Sequence, residues 1–109
     1  MTVFMVASRY LRPLDEVDKD YPGHIAWVTS LYESGTLLVS GRQTPPIGGA
    51  MVLLAVDEEE IWTLLDRDPF HQLGHAEYKI LAKFESTDFP RRSQEYADFE
   101  LRWETRHSK

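Results

Sequence analysis

The sequence predicts an α+β domain: a four-stranded antiparallel sheet with two helices on one face, the split βαβ or ferredoxin-like arrangement. Three observations predict it. Four apolar runs have the length and residue types of strands. Two helical segments divide them in the order strand-helix-strand-strand-helix-strand. The 109 residues suit one domain with one modest core.

The first strand is "VFMVASRY", Val3 to Tyr10, apolar and partly β-branched. "LRPLDEVDKDYPG" then reads as a polar connection with two prolines. A helix is predicted from about Gly23 to Ser34. His24, Trp27, Val28 and Leu31 recur at i, i+3, i+4 and i+7, which is one helical face. Gly35 closes this helix. "TLLVSGRQ", Thr36 to Gln43, is the second strand, and "TPPIGG" is a turn-rich break. "AMVLLAV", Ala50 to Val56, is the third strand, and its unbroken apolar run predicts cover on both faces. Asp57 caps a second helix whose first turn holds Glu58, Glu59 and Glu60, where the helix dipole favours negative charge. Ile61, Leu64 and Leu65 give that helix its apolar face. After Asp68-Pro69, "EYKILAKFE", Glu77 to Glu85, is the fourth strand.

Helices on one face leave the other side of the sheet bare, and few residues remain to cover it. A second copy packed sheet on sheet would do so, which predicts a homodimer. The domain is read as residues 1–85, with 86–109 a C-terminal extension. Within the extension, "ADFELRW" alternates apolar and polar residues with a strand period, while Tyr96, Phe99 and Trp103 also share a helical face. The reading adopted is an extra strand, paired with the body or with the partner subunit.

Composition narrows the function. Hydrophobic residues make up 42% and aromatics 12%, as in an ordered globular fold rather than a disordered chain. The absence of cysteine excludes disulfides, thiolate nucleophiles and cysteine-based zinc sites. A net charge of −6 argues against nucleic-acid binding, which needs a basic footprint. Acids and bases balance from Ser86 onward, so residues before it carry the whole deficit. No apolar run has the length to span a membrane. The N-terminal apolar run lacks a basic leader, so the expected compartment is the cytoplasm.

Several residues are candidates for chemistry. His24 shares its helix face with core residues, so its imidazole is expected to point inward at the core edge. It is either satisfied there by a backbone carbonyl or available to a ligand. Asp68 precedes a proline, as a residue capping a short turn "DPFHQLG" ended by Gly74 would, and capping is the reading its own position favours, with a carboxylate aimed at a site as the alternative. His71 and His75 are four apart, a metal-binding spacing on a helix. Gly74 lies between them and no third ligand is evident, so no metal site is expected. Arg9, Tyr10 and Arg42 stand at strand ends, where they could hold an anionic or phenolic ligand or simply face water. "IGG" precedes a strand rather than a helix and is no phosphate loop. Ser40, in "VSGR", lacks the nucleophile-elbow pattern.

"GHIAWVTSLYESGTLLVSGRQTPPIGGAMVLLAV" followed by "LLDRDPFHQLGHAEYKI" resembles the YciI-like (YCII-related) family of small bacterial proteins, within the dimeric α+β barrel superfamily. The resemblance runs from Val3 to about Phe84. It rests on the order and spacing of the helix-opening histidine, the Ser-Gly of strand two, the glycine turn before strand three and the Asp-Pro-Phe. It implies a homodimeric barrel and a catalytic pair of His24 and Asp68. The family often has proline after the Ser-Gly, where this chain has Arg42, which alters the polarity of the pocket. The wider superfamily includes enzymes acting on small, often aromatic, ring compounds. The expected site is therefore His24 and Asp68, with Arg9, Tyr10, Ser40, Arg42 and Phe70 as substrate contacts. The expected chemistry is cofactor-free proton transfer, elimination or hydrolysis on a small polar or aromatic molecule. The competing expectation is a dimeric binding module without catalysis.

Overall fold

The computed structural model describes residues 2–85, so the expected strand in the tail lies outside the described residues. The elements in chain order are β1 (Thr2–Tyr10), α1 (Leu14–Asp18), α2 (Tyr21–Glu33), β2 (Leu37–Arg42), β3 (Gly49–Ala55), α3 (Glu58–Leu65), α4 (Pro69–Gln72) and β4 (Ala76–Glu85). The strands form one antiparallel sheet in the order β2-β3-β1-β4. This is the predicted ferredoxin-like α+β order, with β1 and β3 in the middle. Single-residue irregularities shift the register between Met5 and Val6, and between Leu37 and Val39.

The core lies between the sheet and the helices. Phe4 and Val6 of β1 meet Met51, Leu53 and Ala55 of β3, and above them sit Trp27, Val28 and Leu31 of α2 with Ile61 and Leu65 of α3. These are the stripes that the helical spacing predicted. Trp27 also donates its indole N–H to the carbonyl of Leu64 at 3.2 Å, which ties α2 to α3. Asp57 caps α3 by accepting the Glu60 N–H at 2.9 Å, as its sequence position predicts.

Two local features differ from the sequence reading. The polar connection before the first long helix contains α1, whose Val17 is fully buried against Phe70, Ala76 and Tyr10. A five-residue helix with one buried side chain leaves no periodic signal. In addition, α2 begins at Tyr21, two residues before the predicted start, with Pro22 in its first turn. Proline reads as a breaker in sequence, but its fixed φ and missing N–H suit that position.

The far face of the sheet remains partly open. β3 is buried on the helix side at Met51, Leu53 and Ala55, but Val52 and Leu54 are only half-buried. The expected cover on both faces is therefore incomplete among the described residues. Val39, Val52, Met5 and Ala82 form a cross-strand row on that face, with Val39 52% and Met5 41% exposed. Phe84, in the next row beside Val3, is 50% exposed. Among the described residues no helix is long and apolar enough to cross a membrane.

Candidate active site

The site is built where α2 and α4 approach each other. Gly23 faces Pro69 so closely that a β-carbon at 23 would sit 3.5 Å from the Pro69 ring, an ordinary van der Waals contact. Their chain neighbours, His24 and Asp68, then meet directly. Nδ1 of His24 lies 2.7 Å from Oδ1 of Asp68. The same oxygen accepts the Phe70 N–H at 3.1 Å, the capping bond of α4. Oδ2 accepts a short hydrogen bond from the Tyr78 hydroxyl on β4. Asp68 is fully buried, and three donors converge on it, which suits a carboxylate that only accepts. Capping α4 and holding His24 are therefore not alternatives: one carboxylate does both.

This bonding fixes the imidazole. With an acceptor at Nδ1, that nitrogen carries the hydrogen, and Nε2 of the neutral ring carries the lone pair. Nε2 has no partner among the described residues. Phe70 stacks on the ring at 4.1 Å between centroids and 3° between planes, which locks its orientation. Tyr78 is held well above the ordinary tyrosine range, first by burial and then by the charge and hydrogen bond of Asp68, so its phenol stays protonated and remains a donor.

His24 lines a cavity of about 320 Å³ between α2 and the β1, β2 and β3 side of the sheet. Tyr10, Ser40, Arg42 and Phe70 line it too, as do Tyr21, Tyr32 and Tyr78. Arg42 donates through Nε to the Tyr10 hydroxyl at 3.0 Å and through a terminal nitrogen to Asp18 at 2.6 Å. The Asp18 bond raises the Arg42 pKa still further. Ser40 shares a 3.0 Å hydrogen bond with Tyr32. The floor depends on the glycine turn. A β-carbon on Gly48 would fall 1.8 Å from the Ser8 carbonyl oxygen, so only glycine lets that turn close on β1. Gly49 donates its N–H to Ser8 Oγ at 2.8 Å beside it.

Arg9 is not part of this cavity, which corrects the sequence expectation. Neighbouring residues on a strand point to opposite faces, so Tyr10 at the cavity sends Arg9 to the far side. There Arg9 pairs with Glu77 at 2.7 Å, with 70% of its side chain exposed. His71 and His75 also diverge, His71 toward Asp66 at 3.2 Å and His75 toward Asp20 at 2.7 Å. Among the described residues no three His, Asp or Glu side chains converge as a metal site. Sequence reasoning missed Tyr78, Tyr21, Tyr32 and Asp18. For Tyr78 a signal was present: it alternates with Ala76 and Ile80 on one face of β4.

The model of the YCII-related domain family matches residues 1–85. The chain belongs to that family. Sequence comparison with curated proteins gives no match. Among solved structures, the YCII-related domain is similar to 5-chloro-2-hydroxyhydroquinone dehydrochlorinase from Burkholderia phenoliruptrix AC1100, in complex with 2,5-dihydroxybenzoquinone. The TM-score is 0.56 at 20% identity, covering 80% of this chain and 93% of that one. At that identity the likeness establishes the shared fold.

Proposed function

We propose that this YCII-related domain is an enzyme of cofactor-free acid–base chemistry on a small polar or aromatic molecule, by proton transfer, elimination or hydrolysis. The observation that carries the reading is the 2.7 Å contact of His24 Nδ1 with a fully buried, triply bonded Asp68, on the wall of a cavity of ring-compound size. His24 Nε2 takes a proton from the substrate and returns it to a leaving group or carbon, and Asp68 holds the tautomer and stabilises the imidazolium that forms. Arg42 or the Tyr10 hydroxyl stands where charge develops on a substrate oxygen. The enzymatic activity of the similar fold, on a small hydroxylated ring, supports the same substrate size. The cytoplasm is the proposed compartment, and a chain without cysteine needs no oxidising environment to fold.

The test is proton exchange. Hydroxylated ring compounds are incubated with the protein in D₂O, and loss of ring C–H signals is followed by NMR. Wild type is expected to exchange or convert at least one, with His24→Ala slower by about 10²–10⁴-fold. Saturable binding that His24→Ala leaves unchanged, with no exchange in any compound, would instead favour the non-catalytic binding module.

The acting species is proposed to be a homodimer formed through the open sheet face. Apolar side chains such as Met5, Val39 and Phe84 each gain about 1.5–3 kcal/mol when fully buried. Sedimentation at micromolar concentration is expected to give twice the 12.7 kDa chain mass. A monomer at that concentration would rule this out.

A further inference from the structure

Among the described residues, Arg42 is the one permanently charged side chain on the cavity wall. The described lining contains tyrosines, serines, a threonine, apolar residues, glycines and His24, but no Asp or Glu. Asp68 stands behind His24 and does not line the cavity. In a chain of net charge −6, a large cavity walled by a cation and no carboxylate is an electrostatic exception.

The guanidinium is also built into place. Its Cζ lies 5.5 Å from the Tyr10 ring centroid and 5.2 Å from that of Tyr21, so it sits against two aromatic faces. Tyr10 OH and Asp18 hold two of its nitrogens. Asp18 is not a cavity residue. It comes from the end of α1, its side chain is 41% exposed, and it occupies one terminal nitrogen of Arg42. The His24 ring lies 6.2 Å from the same Tyr21 ring. Arg42 and His24 therefore both neighbour one tyrosine and line the same cavity. A carboxylate is the ligand group that best matches the planar fork of donors.

We infer that the cavity selects ring compounds bearing an anionic substituent, a carboxylate or an equally acidic oxygen, which binds Arg42 in competition with Asp18 while the ring lies toward His24. Arg42 is thus a specificity-determining residue. The inference deepens the acid–base reading by naming its substrate class, but the anion site does not need the chemistry to operate.

The experiment compares 2,5-dihydroxybenzoate with its neutral amide, 2,5-dihydroxybenzamide, by titration calorimetry. The two share ring, hydroxyls and size. Wild type is expected to bind the acid about tenfold or more tightly than the amide, since hydrogen bonds to an ionised group are roughly twice as strong as neutral ones. In Arg42→Ala and Arg42→Gln that ratio is expected to fall to about one, with amide affinity retained as evidence that the cavity is still formed. Asp18→Asn is expected to raise the affinity for the acid, because a competing carboxylate is gone. Equal affinities in wild type, no binding of the acid, or a ratio that survives in both Arg42 variants overturns the inference. His24→Ala separates it from the enzyme reading. A ratio kept there, with no proton exchange in any protein, removes the catalysis and leaves the anion site. Exchange that depends on His24 without any acid preference does the reverse.

Discussion

Two histidines of this chain hold an aspartate at the same distance, and only one of them lines the cavity. His24–Asp68 and His75–Asp20 are both 2.7 Å contacts. Asp68 is fully buried and accepts three hydrogen bonds, whereas the Asp20 side chain is 43% exposed and has His75 as its one partner among the described residues. His24 offers Nδ1 to its aspartate, leaves Nε2 without a partner among the described residues, and lines the cavity. His75 offers Nε2, and its Nδ1 is buried without a partner among the described residues. Both rings touch Phe70, His24 stacked on its face and His75 edge-on at 6.1 Å. A short His–Asp distance therefore does not mark a site. What matters is how firmly the carboxylate is held and which ring nitrogen is left over.

The comparison breaks most visibly in stability. Asp68→Ala leaves the His24 N–H, the Tyr78 hydroxyl and the Phe70 N–H without their acceptor inside the protein. Each buried group so abandoned costs about 1–3 kcal/mol, so a loss of about 3 kcal/mol or more is expected in urea unfolding. Asp20→Ala removes a half-exposed partner, and a pair of that kind contributes about 1 kcal/mol or less. Similar losses in the two variants would mean that burial does not separate the pairs.

A second, smaller contrast concerns activity. Asp68→Asn keeps the shape of the carboxylate but removes its charge and replaces one acceptor with a donor. In the proposed reaction the imidazolium then loses its counter-charge. Turnover or exchange is expected to fall about tenfold or more, equivalent to about 1.4 kcal/mol. Asp20→Asn is expected to stay within about twofold of wild type, because its histidine does not line the cavity. Rates that respond equally to both substitutions would place His75, not only His24, in the chemistry.

Why the sequence distinguished these pairs is instructive. The strands and long helices were legible because their periods are strong: Trp27, Val28 and Leu31 are all buried, as the spacing required. His24 and Asp68 as separate residues were ambiguous, and it was their joint family pattern that paired them. His75–Asp20 left no trace, since it joins positions 55 residues apart across a helix start that the Tyr-Pro-Gly concealed. Arg9 was misplaced for a reason the sequence did contain. It adjoins Tyr10 on a strand, and strand alternation sends one of them away from any cavity the other lines. The Arg42 cage was illegible because Asp18 reaches it from α1, a helix too short to signal itself.

The last contrast belongs to Tyr78, the donor that Asp68 has and Asp20 lacks. Tyr78→Phe keeps the ring and deletes the hydroxyl, leaving Oδ2 of Asp68 short of a donor. Near neutral pH this is expected to cost about 1–2 kcal/mol. The pH dependence sharpens the test. Burial, then the Asp68 charge and hydrogen bond, raise the Tyr78 pKa in the folded state. The unfolded chain gives up this proton near the ordinary tyrosine value of about 10, while the folded chain keeps it. The stabilisation is therefore complete below pH ~10 and declines above it, by about 1.4 kcal/mol per pH unit for one proton. Phenylalanine has no proton to lose. Unfolding free energies of wild type and Tyr78→Phe, measured from pH 7 to 11, should keep a constant gap up to about pH 9. Above pH 10 the gap should narrow as the wild type alone loses ground at this position. A gap that stays constant to pH 11 would mean that the folded phenol ionises as readily as a free one, and that neither burial nor Asp68 holds its proton.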